Sequence, residues 1–430
     1  MKIIATAGRL VRVPGRGLVA AGLALLIAGC ASSTASPTAT SAGPTSTPTS
    51  APTATATPTT APTPPPTPTP APTAAPSPIA GAWKAVPDSS TLKKIQFYTV
   101  AWTGSRFAAG GVATDGSAVF LDSPDGITWH LQATVWKNAT IRKVASGPLG
   151  LVAVGDRLGR MVSWKSSDGL SWSLTPDTTS KHPGSGKTLK GWDVTPVGGG
   201  WMAVGEEDPI CMTACAPTRA LVWTSPDGST WTQAPAAPAL ASAAIQGVIQ
   251  SGARYVAVGK AGLHGAVWTS TNGTVWTRIP DTTAFHAPAG TDPMMGEGMQ
   301  GIAGRGGRLV AVGQVYTQGD IGSALGWSSA DAKTWKSAKG DKFLFGQMFA
   351  VEAVPTGYLA VGPSGPDSCL GGIWSSVDGA SWKCEASAAG FARFAPYDTA
   401  SSPTREVVVG FGRPGGATTG AVWTRALTAP

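Results

Sequence analysis

The chain has 430 residues, of which only 13% are charged, whereas 56 are Gly, 36 are Pro and 17 are Trp. Coiled coils and helix bundles need many helix-forming residues, so this composition excludes them and favours short strands joined by tight turns. The formal net charge is +8, but Lys2, Arg9, Arg12 and Arg16 lie in an N-terminal segment that we expect to be removed. Because no run of basic residues alternates with aromatic residues, we expect no nucleic-acid partner.

Residues 1–29 have the layout of a secretory signal. A basic stretch ends at Arg16, and the apolar run over residues 17–28 is too short to cross a bilayer as a permanent helix. The sequence Leu-Ile-Ala-Gly-Cys that ends at Cys30 resembles the lipobox of bacterial lipoproteins, in which the Cys receives a diacylglycerol and becomes the new N-terminus. The resemblance implies a lipid anchor at Cys30 and a location on the extracytoplasmic face of the cell membrane. The alternative is an ordinary signal peptide with an incidental Cys.

Residues 30–80 predict a disordered tether that follows the anchor. Residues 31–80 consist of Ala, Ser, Thr, Pro, Gly and a single Ile, without charge or aromatic side chains. Such a segment cannot bury a core, and its dense Pro favours the extended polyproline conformation. At about 3 Å per residue, the tether would reach roughly 150 Å.

A repeated pattern covers residues 81–430 and predicts the fold. The motif Ser-x-Asp-Gly-x-x-Trp recurs, with substitutions in two copies, and places a polar side chain at Asp125, Asp168, Asp227, Asn272, Asp331 and Asp378. A second motif, Val-Ala-Val-Gly or a relative, ends at Gly111, Gly155, Gly205, Gly259, Gly313, Gly362 and Gly410. Each unit predicts four short strands, which is typical of a propeller blade. We therefore predict an all-β fold, a seven-bladed antiparallel β-propeller.

The two ends of this region predict how the ring closes. The segment that begins at Trp83 is similar to the fourth-strand segment that begins at Trp276, yet nothing before it can supply the rest of a blade. The last unit, which contains Trp423, stops before a fourth strand. We expect the N-terminal strand to complete the seventh blade, which leaves no open sheet edge at the seam.

The Ser-x-Asp-Gly-x-x-Trp motif resembles the Asp-box, or BNR, repeats of sialidase-like propellers. The resemblance implies that these turns lie away from the active face and that their carboxylates are structural; the alternative is that they are metal ligands or acids. Sialidases also need an arginine triad, a Tyr-Glu pair and an acid/base Asp. Arg278 follows a repeat, where the family's Arg-Ile-Pro motif does not occur, and only Arg142 and Arg393 fall on inner strands. These departures favour a non-catalytic protein over a sialidase-like glycoside hydrolase.

Cysteine and histidine spacing limits the other kinds of site. In an oxidising compartment we expect Cys369 to pair with Cys384 across a hairpin and Cys211 to pair with Cys215; a redox role for the second pair is the alternative. The four His show no ligand spacing. We therefore predict no metal and no cofactor.

The longer connections point to a ligand-binding face. Extra residues fall in the segments 173–189, 206–219, 277–298 and 314–322, which strand order places on one face, opposite the Asp-containing turns. The candidate ligand-binding residues on the inner strands are Arg142, Trp192, Asp193, Gln246, Gln300 and Arg393. The alternative is that they merely line a solvated channel. We expect a monomeric, membrane-anchored binding or assembly module that recognises a glycan or a protein of the envelope.

Overall fold

The computed structural model describes residues 79–87, 90–132, 135–175, 186–210, 217–286, 296–315, 322–391 and 393–428. The predicted signal peptide, Cys30, almost all of the tether and the Cys211 and Cys215 pair lie outside the described residues. The described residues form seven sheets of four or five strands, which are the blades of a β-propeller. No helix among them is long and apolar enough to cross a membrane.

The strands follow the predicted order, with the innermost strand first in each blade except blade six, where a short outer strand precedes it. The N-terminal strands are β1 (Ile79–Ala80) and β2 (Lys84–Ala85). Blade one contains β3 (Ile95–Trp102), β4 (Phe107–Ala113), β5 (Ser117–Ser123), β6 (His130–Leu131) and β7 (Trp136–Lys137). Blade two contains β8 (Ala139–Gly147), β9 (Gly150–Arg157), β10 (Arg160–Ser166) and β11 (Ser173–Leu174). Blade three contains β12 (Lys187–Val197), β13 (Gly200–Pro209), β14 (Arg219–Ser225) and β15 (Thr232–Gln233).

The remaining four blades repeat this plan. Blade four contains β16 (Ala243–Ser251), β17 (Arg254–Ala261), β18 (His264–Ser270) and β19 (Thr277–Arg278). Blade five contains β20 (Glu297–Arg305), β21 (Arg308–Val315), β22 (Ala324–Ser329) and β23 (Lys336–Ser337). Blade six contains β24 (Lys339–Gly340), β25 (Ala350–Val354), β26 (Gly357–Val361), β27 (Ile373–Ser376) and β28 (Ser381–Cys384), and blade seven contains β29 (Phe394–Ser401), β30 (Arg405–Gly412) and β31 (Thr419–Thr428). Short 3₁₀ helices lie at Pro238–Leu240, Thr283–Phe285, Ala386–Phe391 and Pro414–Gly416.

The ring closes as the sequence predicts. Strand β31 pairs with β30 on one side and with both β1 and β2 on the other, so the N-terminal strands complete blade seven. Pairing begins at Ile79, two residues before the predicted start of the domain. The pairs within blades are antiparallel except that β24 runs parallel to β28. The seven-bladed, N-terminally closed propeller is therefore confirmed.

The hydrophobic core lies between neighbouring blades. Phe120 of blade one, for example, stacks on Trp172 of blade two with ring centroids 3.9 Å apart. Trp164 packs in the same cluster and is fully buried. Equivalent third-strand Trp side chains are buried in the later blades, namely Trp223, Trp268, Trp327, Trp374 and Trp423. These Trp residues are packing residues, and burial of each large side chain contributes about 1.5–3 kcal/mol.

The innermost strands contain a bulge that accounts for the repeated glycine. In blade two the pairing of β8 with β9 skips Arg142 between Ile141 and Lys143. The extra residue brings the β8 backbone so close to Gly155 that a Cβ there would lie 1.9 Å from the Thr140 carbonyl oxygen. Only Gly fits this close approach, and a bulge redirects the side chain that it ejects.

A disulfide joins Cys369 to Cys384 in blade six, with the two Cα atoms 5.4 Å apart. This pair confirms the predicted bridge between the connection that precedes β27 and the end of β28. Cys369 is fully buried. The bridge therefore holds the outer hairpin of that blade against its own core.

The turns that carry the repeated Asp share one hydrogen-bond arrangement. In blade five, Asp331 Oδ1 accepts hydrogen bonds from the backbone N–H groups of Lys333 and Thr334 at 2.8 and 2.7 Å, and Ser329 Oγ accepts one from Ala332 N at 3.0 Å. The equivalent oxygens accept two backbone hydrogen bonds each in the turns of Asp125, Asp168, Asp227, Asn272 and Asp378. In these turns the polar side chain stabilises the backbone of the turn.

These turns should make the propeller sensitive to acid. The backbone N–H donors of Thr334 and Lys333 lower the pKa of Asp331 to about 2. Because this pKa lies below the value of about 3.9 for Asp in an unfolded chain, the stabilisation is present above pH 4 and is lost as the pH falls toward 2. Urea unfolding of Asp331→Asn between pH 5 and pH 2 should therefore show a shallower loss of stability than the wild type.

The natural Asn272 turn supplies the matched control for this prediction. Its side-chain oxygen accepts the same two hydrogen bonds at 3.0 and 2.9 Å without being able to ionise. Asn272→Asp should therefore steepen the acid-induced loss of stability. Equal pH slopes for the wild type and both variants would show that these turns are not linked to proton binding.

Candidate ligand-binding cavity

The innermost strands surround a central cavity of about 790 Å³. The bulge position of each blade contributes one side chain to its lining, namely Tyr98, Arg142, Trp192, Gln246, Gln300, Phe349 and Tyr397. Six of these residues are skipped in the pairing of their innermost strand, and Phe349 lies directly before β25. The six bulges and Phe349 therefore place a ring of seven side chains, one from each blade, in the cavity.

The structure brings together most of the candidate residues. The side chains of Arg142, Trp192, Asp193, Gln246 and Gln300 all line the cavity. The expectation for Arg393 is corrected, because Arg393 is exposed and lies in a turn one residue before β29 begins. Arg393 is not among the residues that line the cavity. An inner-strand position was expected for it, but the strand starts at Phe394.

Several cavity residues were missed by the sequence analysis. Three aromatic members of the ring stand at the same offset before their second-strand glycine as Arg142 stands before Gly155, so this offset could have found them. They are Tyr98, Phe349 and Tyr397. No motif marked the charged residues Lys143, Glu352 and Asp398, which also line the cavity.

An ion pair between half-buried Lys143 and buried Asp398 connects three blades beside the cavity. Lys143 Nζ of blade two lies 2.9 and 2.8 Å from the two carboxylate oxygens of Asp398 in blade seven. Asp398 also accepts hydrogen bonds from Thr99 Oγ1 at 2.9 Å and Val100 N at 3.1 Å, both in blade one. Burial acts to lower the pKa of Lys143, but the charge of Asp398 outweighs it and the pKa is raised. Lys143 is therefore a charged, positioned donor.

Asp193 is a second carboxyl group in the cavity. Its two oxygens accept hydrogen bonds from Val194 N and, in the next blade, from Val248 N, each at 2.9 Å. Burial raises the pKa of Asp193 to about 6, although the charge of Lys143 opposes the shift. Asp193 is therefore mostly ionised at neutral pH and becomes protonated in mild acid.

Glu352 is the most strongly perturbed acid of the cavity. Burial and the charge of Asp398 raise the pKa of Glu352 to about 8. Ser401 N donates a hydrogen bond of 3.3 Å to Glu352 Oε1, whereas Oε2 has no hydrogen-bond partner among the described residues. Glu352 is therefore mostly protonated at pH 7 and can act as a hydrogen-bond donor or an acid.

Aromatic rings form one wall of the cavity. Tyr397 lies against Tyr98 and Phe349, with ring centroids 5.3 and 5.1 Å away. Behind it Phe411 stacks on Tyr397 at 5.0 Å, and burial raises the pKa of Tyr397 to about 12. This wall is rigid because each ring is held by at least one other ring.

An Arg-Trp pair occupies a second part of the ring. The Arg142 guanidinium lies over the Trp192 ring, 4.2 Å from its centroid, and Arg142 Nε donates a hydrogen bond of 2.6 Å to Asp156 Oδ1. Asp156 and the ring thus fix the position of Arg142. The cavity therefore combines aromatic faces, amides, a fixed cation and carboxyl groups in different protonation states.

No protein-family model matches the sequence, and no curated protein matches it either. Solved structures do match. YCF48 bound to D1 peptide aligns with a TM-score of 0.51 and 17% identity, over 81% of this chain and 96% of that chain. Virginiamycin B lyase from Staphylococcus aureus aligns with a TM-score of 0.53 and 9% identity, over 80% of this chain and 99% of that chain. By fold, the chain is a β-propeller protein.

A sialidase is also among the matching structures. Trypanosoma rangeli sialidase aligns with a TM-score of 0.39 and 13% identity, over 77% of this chain and 53% of that chain. A TM-score this low supports no inference about this chain. At 9–17% identity, the three matches indicate a shared fold and nothing about function. A propeller fold hosts binding proteins and enzymes alike, so the function has to be argued from the cavity.

Proposed function

We propose that this protein is a non-catalytic binding module on the extracytoplasmic face of the cell membrane. The observation that carries the proposal is the central cavity, to whose lining every blade contributes one side chain at the same position of its repeat. Its volume of about 790 Å³ lies in the range of small-molecule sites. The rigid ring places these side chains before a ligand arrives, which limits the entropy lost on binding.

Between the two expected classes of partner, the side chains favour a short glycan. A sugar ring has an apolar face of C–H bonds, which packs on aromatic rings such as those of Tyr98 and Tyr397. Its hydroxyl groups donate and accept hydrogen bonds, which suits the amides of Gln246 and Gln300 and the carboxyl group of Asp193. The alternative ligand is a protein segment that inserts into the cavity, and the binding experiment below distinguishes the two.

The membrane location in this proposal is supported by the N-terminal sequence alone. The lipobox resemblance at Cys30 implies a diacylglycerol, and its two acyl chains exceed the single chain that gives only marginal membrane binding. The Pro-rich tether would hold the propeller away from the bilayer. Cell fractionation tests the anchor: Cys30→Ala should move the protein out of the membrane fraction, and an unchanged distribution would count against lipidation.

Binding to a glycan array tests the main proposal. The mature Cys30→Ala protein, labelled with a fluorophore, should bind a defined set of glycans. Gln246→Ala should weaken that binding about tenfold, since one good hydrogen bond to the ligand is lost. Gln233→Ala, at the outermost strand of blade three, is the matched control and should bind like the parent protein.

Two outcomes would contradict the binding of a glycan in the cavity. Affinity that is unchanged in Gln246→Ala and in Tyr397→Ala would place the glycan outside the cavity. If no glycan binds, and crosslinking on intact cells through the cavity captures one envelope protein, the partner is a protein segment. Both variants should first be compared with the parent protein by circular dichroism to show that they fold.

Glycoside hydrolysis is a second candidate function, favoured by the different protonation states of two carboxyl groups in the cavity. Glu352, mostly protonated, and Asp193, mostly ionised, line the same cavity, and such a difference in pKa separates an acid from a base or nucleophile. If any bound glycan is cleaved, Glu352→Gln should abolish cleavage and retain binding. Cleavage that persists in Glu352→Gln would show that this acid is not responsible.

A further inference from the structure

Folding brings two histidines together that the sequence keeps apart. His264 begins β18 of blade four, whereas Asp281 and His286 lie in the connection from β19 to β20. One ligand atom from each of the three side chains lies within 4.8 Å of the others. The two imidazole rings face each other, with centroids 4.0 Å apart. The connection between blades four and five thus gathers three potential metal ligands.

The main-chain structure around the cluster is held in place. Glu297 N, at the start of β20, donates a hydrogen bond of 2.8 Å to the Leu263 carbonyl oxygen, next to His264. Phe285, directly before His286, is buried in the core between the two blades. The backbone on both sides of the cluster is therefore anchored, while the three ligand side chains are 40–54% exposed and accessible to an ion from solvent.

A buried carboxyl group supports the cluster from behind. Glu297 is only 1% exposed, and its Oε1 lies 2.8 Å from His264 Nδ1. When Nδ1–H donates to a carboxylate, Nε2 of the same ring is left as the electron-pair donor, which is the usual support for a metal-binding His. On the other side, His286 Nε2 lies 3.0 Å from Asp281 Oδ2, so these two groups already face each other.

We propose that His264, His286 and Asp281 bind a zinc ion. Two imidazole nitrogens and one carboxylate oxygen form a donor set that Zn²⁺ accepts, with the fourth position left for water or another ligand. The ion would bind between His286 Nε2 and Asp281 Oδ2, which lie 3.0 Å apart. Glu297 positions His264 and does not bind the ion. The spacing of the His residues along the chain predicted no metal. That spacing does not show which His residues the fold brings together.

The site would have a structural consequence for the cavity. Asp281 and His286 belong to the segment that leads into β20, and β20 carries Gln300 in the cavity ring. His264 belongs to the preceding blade. Zinc would therefore tie β18 of blade four to the connection that leads to a strand lining the cavity.

Calorimetric titration of zinc tests the proposal. The mature Cys30→Ala protein, freed of metal with a chelator, should bind one Zn²⁺ with a dissociation constant of about 1 μM or below and gain thermal stability. His264→Ala and His286→Ala should each weaken binding at least about 100-fold, and Glu297→Gln about 10–100-fold. His130→Ala, an exposed His in blade one that belongs to no such cluster, is the matched control and should bind zinc like the parent protein.

The same titration can overturn the proposal. Absence of zinc binding to the parent protein, or binding that is unchanged in both His264→Ala and His286→Ala, would exclude this site. Asp281→Asn, which keeps the size of the side chain, serves as a second variant if an Ala variant fails to fold. Binding that Asp281→Asn weakens at least about tenfold supports the site, and binding that it leaves unchanged removes Asp281 from it.

Discussion

Trp83→Ala should destabilise the whole propeller by about 3–5 kcal/mol, the usual cost of removing a large buried aromatic side chain. Trp83 is 4% exposed and belongs to the same core cluster as Val408 and Trp423, which lies between blades six and seven. It lies beside β2, which together with β1 joins the chain's N-terminal end to its C-terminal strand. Loss of this packing weakens the closure of the ring. Urea unfolding followed by circular dichroism measures the effect.

Trp172→Ala provides the matched control for this prediction. Trp172 occupies the equivalent slot in blade two, and its strand is joined to its own blade by a hairpin. Its replacement should cost a comparable packing energy but should not open the ring. Limited proteolysis should therefore release the N-terminal strands only from Trp83→Ala. Equal proteolysis of both variants, or a change below about 0.5 kcal/mol for Trp83→Ala, would contradict the role of the closure.

Arg425→Met should cost about 3–5 kcal/mol at neutral pH, because removal of one partner leaves a buried charge without compensation. Arg425 is 4% exposed and Glu406 is fully buried, and Arg425 Nε donates a short hydrogen bond to Glu406 Oε2. Arg425 also forms an ion pair of 3.3 Å with Glu385, and its guanidinium lies 4.7 Å from the centroid of the Trp83 ring. The loss should be measured by urea unfolding at pH 7.

The pH dependence of this variant supplies a second readout. Burial already raises the pKa of Glu406, although Arg425 opposes the shift. Without Arg425, Glu406 should bind a proton more readily in the folded protein than in the unfolded chain, so the variant should regain stability as the pH falls. Adding Glu406→Gln should restore most of the stability at pH 7. Lys137→Met, which breaks an exposed pair, is the control and should cost less than about 1 kcal/mol.

The blades could be predicted from the sequence because the same physical requirement recurs in each of them. A Trp such as Trp164 fills the space between two blades, and a glycine such as Gly155 accommodates the bulge beside it, so both positions repeat. The seam was predictable for the same reason, since Trp83 fills a slot that the last blade lacks. Residues that every blade needs for packing or for backbone geometry therefore recur along the chain, and their recurrence made them predictable.

The chemistry of the cavity was only partly predictable, because it does not repeat. Arg142 and Trp192 were found by their place on inner strands, whereas Tyr98 and Tyr397 resemble ordinary core aromatics in sequence. Lys143 and Asp398 are 255 residues apart and meet only because the ring closes. The prediction for Arg393 was wrong because strand boundaries are not fixed by a repeat at single-residue precision.

Because of the bulges, the residues that stabilise the ring are different from the residues that face a ligand in the cavity. A side chain such as Gln246 is skipped in the pairing between its strand and the next, and it projects into the cavity instead of the core between blades. Substitution of Gln246 should therefore leave the ladder hydrogen bonds and the packing between blades intact. Ring positions of this kind are therefore free to diverge, so related propellers could acquire different ligands while their blades stay the same.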